Sequence, residues 1–309
     1  MSSRAVPGRP GMTTTAETLV ARLDGDFTSH TVDADGTAIH CVSGGTGPPV
    51  LLVHGFPQDW YEWRHVMPRL ARGHTVHAVD LRGVGGSDAP ADGYDAVRLG
   101  GDLAELVETL GIGPVHVVGH DIGGWAAYAL TRLRPDLVSS ALILEVLFPG
   151  LDVPDSPVPG VPLWHGEFHQ VPHLPETLVA GREEAYFRYF LDIGTAVPGV
   201  VTDDEIAHYA SAYGEPARLH AAFEMYRAIP KNARFFRDGC DPVDVPLLLA
   251  GGEQCFGPLM PALARHLTAA HGWSSVTDVV VPGGRHYLPE ELPDAVAELI
   301  ERHAQSVRK

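Results

Sequence analysis

At 309 residues the chain is long enough to bury a large core, as one domain with an insertion or as two domains. Its formal net charge of −17, with histidine neutral, argues against nucleic acid or an anionic membrane surface as a partner, and no apolar run is long enough to span a bilayer. Three cysteines, Cys41, Cys240 and Cys255, form neither a metal-type spacing nor an even disulfide set, which points to a reducing, cytoplasmic setting.

Residues 1–27 read as a tail and lead-in. The opening "MSSRAVPGRPGMTTTAE" lacks the hydrophobic stretch of a secretory signal, and Met12 is a second candidate start. "FTSHTVDADGTAIHCVSGG" alternates with period two on both sides of "ADG", which predicts a hairpin. "PPVLLVHGFP" predicts a buried strand ending at His54-Gly55-Phe56-Pro57, "HTVHAVDLRGVGGSD" a strand and a glycine-rich loop, and "RLGGDLAELVETLGI" an amphipathic helix. Strands alternating with helices imply a mostly parallel sheet, with ligands bound beyond the carboxyl ends of its strands. After the strand "SALILEV" the pattern changes to a proline-rich stretch over 149–175 and then to helical segments without strands. It returns to strands with "VPLLLAGGE" and "TDVVVPGG" and closes on the helix "PDAVAELIERHA". The expected organisation is an α/β core over 28–148, a helical cap over 149–232, and the second part of the core over 233–309.

"VVGHDIGGWAA" predicts a strand, a sharp turn and a helix, with Asp121 on the turn in a G-x-D-x-G setting. A side chain held there at positive φ needs small neighbours, which Gly119, Gly123 and Gly124 supply. A helix N-cap aspartate or a phosphate-binding turn would leave a similar local trace.

The set "HGFPQDWYEWR", "VDLRGVGGSD", "GHDIGGW" and "PGGRHYLPEELP" resembles the α/β-hydrolase superfamily over nearly all of residues 28–303. Aspartate at the turn narrows the likeness to its epoxide hydrolases, and to a bacterial subgroup that opens the ring with a His/Tyr pair. That resemblance implies an α/β-hydrolase fold: a mostly parallel central sheet flanked by helices, with an all-helical cap inserted before the last strands. It implies Asp121 as nucleophile, a role for which an ionised carboxylate is suited because it attacks a saturated carbon without first losing a proton. The resulting ester requires a base to activate water, and His286 lies where the superfamily keeps its late histidine. The acid that orients this base is Glu145 or Glu253. Glu145 is favoured because it ends an apolar run, where an unpaired charge is costly. Backbone N–H groups of Phe56 and Ile122 are the expected oxyanion hole, and His54 is expected to be structural. His165 in "LWHGEF" and Tyr226 in "FEMYRA" are the expected donors to the epoxide oxygen, with Tyr189 in reserve.

The resemblance also leaves alternatives. Dehalogenases share the aspartate, histidine and acid, but fluoroacetate dehalogenases carry arginines just after the nucleophile, where this chain has Ile122 and Trp125. Haloalkane dehalogenases usually place tryptophan directly after it, at the position of Ile122. A non-catalytic ligand receptor of the same fold would often lack part of the set. The expected partner is a small-molecule epoxide; no metal or organic cofactor is implied, and a homodimer is left open.

Overall fold

The computed structural model describes residues 15–151, 163–238 and 242–306. Met12, Cys240 and residues 152–162 of the proline-rich stretch lie outside them. The sheet has eight strands: β1 (Phe27–Ala34), β2 (Thr37–Gly45), β3 (Pro49–Val53), β4 (Thr75–Val79), β5 (Val115–His120), β6 (Val138–Leu144), β7 (Leu247–Gly252) and β8 (Val276–Val281). Their order is β1-β2-β4-β3-β5-β6-β7-β8. β1 and β2 form the expected hairpin, turning through Asp35 and Gly36, both at positive φ. β2 also runs antiparallel to β4, and every later neighbour is parallel.

The central strands are apolar at successive positions because both faces are covered. Leu51 and Val53 of β3 join one core with Val117, Ile143 and Leu249, packed by α3 (Ala96–Leu110) and α4 (Ile122–Leu133). Val50 and Leu52 face the other core, which α1 (Ala16–Val20) and α2 (Met67–Leu70) help to cover. Between β6 and β7 run α5 (Trp164–Gln170), α6 (Leu174–Val179), α7 (Glu183–Gly194), α8 (Asp203–Ala212), α9 (Pro216–Arg227) and α10 (Ile229–Arg237), with no strand among the described residues. Two of these differ from the sequence expectation: "ETLVAGREEAYFRYFLDIG" is broken between α6 and α7 around Gly181, which has φ 75°, and α10 continues past residue 232. The chain ends with α11 (Met260–Ala270), α12 (Leu288–Glu291) and α13 (Pro293–Ser306).

The helical insertion is tied to the core by buried polar contacts. Arg64 donates to Glu205 of α8 at 2.6 Å and to Glu290 at 2.8 Å, and Tyr209 of α8 donates to the same Glu290 at 2.5 Å. Tyr213 adds a bond to the carbonyl of Gln58. Because β3, β5, β6, β7 and β8 are parallel, the loops that leave them gather along one edge of the sheet. β3 sends its connection toward β4 while β5 sends its own toward β6, so a crevice opens between the two, the usual place for a ligand in such sheets.

Candidate active site

Asp121 follows β5 directly, with φ 49° and ψ −119°, and α4 starts at the next residue. The turn is this tight because its neighbours lack side chains. A Cβ on Gly119 would lie 2.3 Å from the carbonyl oxygen of Gly123, and one on Gly123 would lie 2.4 Å from those of Val53 and His54. From the loop after β3, the N–H of Phe56 donates to Asp121 Oδ2 at 3.1 Å. Ile122, the other residue expected to offer an N–H, begins α4 and lines the same cavity as Asp121. His54 is occupied in holding its own loop: Nε2 accepts from the N–H of Leu81 at 3.0 Å and Nδ1 donates to the carbonyl of Gly55.

Glu145 follows β6, also at positive φ (48°), and is fully buried. Its Oε2 accepts from His286 Nδ1 at 3.1 Å, and its Oε1 from the N–H groups of Gly252 at 2.5 Å and Phe256 at 3.2 Å. These bonds offset the desolvation of a carboxylate placed where water cannot reach it. The loop after β7 thus supplies main-chain donors to Glu145. Its own carboxylate, Glu253, is exposed and accepts the N–H of Gly283 instead. His286 is held on both sides of its peptide: its N–H donates to the carbonyl of Gly194 at the end of α7, and its carbonyl faces Nε2 of His120 at 2.9 Å.

The insertion covers this edge. His165 of α5 and Tyr226 of α9 meet with ring centroids 5.7 Å apart. Tyr226 shares the buried stripe of α9 with Leu219, Ala222 and Phe223, and burial raises its phenol well above the ordinary value, so it stays protonated. Tyr189 is 39% exposed and takes a 3.4 Å contact from Trp164 Nε1, lining neither cavity near Asp121.

Two cavities meet at Asp121, His165 and Tyr226. The larger, about 410 Å³, continues past Trp125, Leu147, Ile229 and Leu263. The smaller, about 70 Å³, lies against His286, Phe190, Ile193 and Tyr287. No lysine or arginine lines either of them among the described residues. A surface groove of about 790 Å³ beside Arg22, Arg69 and Arg72 is larger, but it holds none of these residues and its charged, mixed-sign walls match no step of the chemistry considered. Glu145, Cys255 and His286 bring candidate ligand atoms within 4.8 Å of one another, yet Glu145 and His286 already bond to each other. Burial pushes the Cys255 thiol up, which keeps it from being a ready thiolate ligand.

Several neighbours were not singled out from sequence. Glu62 and His120 form a fully buried pair beneath Asp121, at 3.2 Å. Tyr287 closes the small cavity, and His169 bonds Tyr186 at 2.6 Å behind Tyr226. An ionisable residue inside an aromatic run, as in "WYEWR", was the available signal for Glu62.

A family model described as alpha/beta hydrolase fold matches residues 48–293. The chain is 33% identical to the soluble epoxide hydrolase of Corynebacterium sp. (strain C12), over 88% of this chain and 96% of that protein. It is 30% identical to a fluoroacetate dehalogenase of Burkholderia sp., over 91% and 95% of the two chains. Among solved structures it resembles the unliganded epoxide hydrolase CorEH with a TM-score of 0.82 at 30% identity, over 91% of this chain and 100% of that one.

Proposed function

With the chain belonging to the α/β-hydrolase fold family and, within it, to the epoxide hydrolases, we propose that it converts an epoxide to a vicinal diol through an ester on Asp121. The carrying observation is the position of Asp121. Its carboxylate is held at the floor of the cavity junction by the Phe56 N–H, while His165 and Tyr226 stand on the insertion that covers it. Backside attack requires nucleophile and leaving oxygen on opposite sides of the carbon, so donors to that oxygen belong on the cap.

In this reading Asp121 attacks one ring carbon, the C–O bond breaks, and the oxygen takes a proton or hydrogen bond from Tyr226 and His165. His286 then removes a proton from water as the hydroxide adds to the carboxyl carbon of the ester. The tetrahedral intermediate collapses, the acyl C–O bond breaks, and the departing oxygen takes the proton back from His286, releasing the diol and restoring the Asp121 carboxylate. Glu145 holds the imidazole and stabilises its protonated form. The Phe56 and Ile122 N–H groups face the developing oxyanion. The 70 Å³ cavity by His286 has room for about two waters, whose share of liquid volume is roughly 30 Å³ each.

The cavities also suggest a substrate class. The large cavity suits one bulky apolar arm, whereas the small one leaves room for hydrogen or a short substituent. An anionic substrate would find no lysine or arginine among the described lining residues.

A dehalogenase reading has the 30% identical relative in its favour and would use the same aspartate, histidine and acid. Ile122 and Trp125 occupy the two positions where an arginine would hold a haloacid carboxylate, and both line an apolar wall. Purified protein incubated with neutral epoxides, fluoroacetate and chloroalkanes should form diol and release no halide. Halide release without diol would replace the epoxide reading.

A further inference from the structure

Two adjacent glutamates close the motif "HYLPEE" behind the base, and the chemistry assigned above uses neither. Glu290 takes bonds from Arg64 and from Tyr209 of α8. Glu291, half-buried at the end of α12, reaches instead to the end of α7. Its Oε2 accepts the N–H of Ala196 at 2.6 Å, and the N–H of Arg285 lies 3.2 Å from its Oε1 and 3.3 Å from its Oε2. One residue further along the base loop, the His286 N–H donates to the carbonyl of Gly194 at 2.8 Å.

We propose that Glu291 is a positioning residue: it clasps residues 194–196, where α7 ends, to residues 285–286 of the base loop. One carboxylate thereby sets both the seat of His286 and the wall of the small cavity. The bonds involved belong to no helix or sheet ladder. Gly194 closes α7, where a carbonyl has no helical partner, and the Ala196 and Arg285 N–H groups lie in loops. Without the Glu291 carboxylate those two donors lose their acceptor, and the single His286–Gly194 bond is left to join the loops.

The two segments are also in close contact. A Cβ on Gly194 would lie 2.4 Å from Cε2 of Tyr287, so the helix end rests on that ring with no side chain between them. Ile193 and Gly194 line the small cavity together with His286 and Tyr287. A shift of the α7 end against the base loop therefore changes the width of that cavity and the place of the base at once. His165 and Tyr226 stand on α5 and α9, which carry none of the clasping bonds. Loss of the clasp should thus fall on ester hydrolysis, which uses His286, and spare ester formation. A second role for Glu291, through its charge, is separable from the clasp. Oε2 alone already takes both N–H groups, so the carbonyl oxygen of glutamine can keep the bonds while the charge is lost.

The kinetic part of this proposal rests on the epoxide reading, so it is paired with a measurement that does not. Glu291→Ala should slow ester hydrolysis by about tenfold or more, the scale of a small misplacement of a reacting group, and change ester formation from a one-armed epoxide by less than about threefold. In the same variant the preference for one phenyl arm over a phenyl on each carbon should narrow by at least about threefold. Glu291→Gln should bring both readouts back to within about twofold of the parent. Ala196→Pro deletes the same bond from the donor side with Glu291 intact, and Thr195 before it is already extended (φ −104°, ψ 144°), as a following proline requires; it should repeat the Glu291→Ala pattern. Equal slowing of both steps, an unmoved substrate preference, or no recovery in Glu291→Gln would overturn the clasp. Amide hydrogen exchange reads it without substrate: the His286 N–H, bonded to Gly194 and not to Glu291, should exchange about tenfold faster in Glu291→Ala, roughly the effect of one lost hydrogen bond. Unchanged exchange at His286 overturns the clasp. Faster exchange in a protein whose wild type opens no epoxide supports the clasp and sinks the functional reading alone.

Discussion

Replacing Glu145 with glutamine tests the orienting acid more sharply than its removal would, because the amide keeps the shape and changes the donors. One oxygen of Glu145 accepts from Gly252 and Phe256, the other from His286 Nδ1. Glutamine has a single carbonyl oxygen. Two main-chain N–H groups hold that oxygen in place, which turns the NH₂ group toward His286 and converts Nδ1 into an acceptor. The imidazole proton then sits on Nε2, the nitrogen that must take a proton from water. Loss of a charge-assisted bond to the imidazolium costs about 1.5–3 kcal/mol, roughly 10- to 150-fold, before the tautomer penalty is added. Ester hydrolysis in Glu145→Gln should therefore slow by about 10²-fold or more, with ester formation far less affected. Glu253→Gln alters an exposed group bonded to Gly283 and should change either step by less than about threefold. Rapid-quench sampling with intact-protein mass spectrometry reads both steps. Equal slowing in the two variants, or a larger effect in Glu253→Gln, would refute this assignment.

Tyr226→Phe should reduce the rate of ester formation by about 10²-fold or more, whereas Tyr189→Phe, at an exposed position outside both cavities, should leave it near the parent value; stopped-flow alkylation decides between them. An epoxide with one phenyl arm should be turned over at least about tenfold faster, in kcat/KM, than one with a phenyl on each carbon. Ile193→Ala removes three carbons from the wall of the small cavity and should narrow that ratio. A folded-state pKa near 9 for His120, against about 6.5 unfolded, makes its stabilisation complete below about pH 6.5 and lost as pH rises through about 9. The span corresponds to about 3 kcal/mol, so the melting temperature of the wild type should fall more steeply from pH 7 to 9.5 than that of Glu62→Gln.

What the sequence disclosed was local. "VVGHDIGG" carries its own turn, because three glycines and a following helical period leave Asp121 little other geometry, and "ADG" between alternating runs is a complete hairpin instruction. The partners of Glu145 were foreshadowed for a different reason: a glutamate ending the apolar run "ALILE" has to find hydrogen-bond donors, and Glu145 finds them in Gly252, Phe256 and His286. Tyr226 falls in register with Leu219, Ala222 and Phe223, so its inward face followed from helical spacing, whereas the spacing around Tyr189 could not tell which side of α7 would be covered. The Glu62–His120 pair escaped notice because its members are 58 residues apart and each has an ordinary local reading. Similarly, the break at Gly181 is set by how α6 packs on α9 and α7 on α8, which a continuous helical period does not reveal.

The central claim is an ester on Asp121, and a single turnover in ¹⁸O-water tests it most directly. With enzyme in excess over epoxide, the oxygen added to the diol should come from the Asp121 carboxylate, leaving the diol unlabelled and ¹⁸O in the peptide containing Asp121. Label appearing in the diol in that first turnover, with none in the peptide, would mean that water attacks the epoxide directly and would contradict the mechanism.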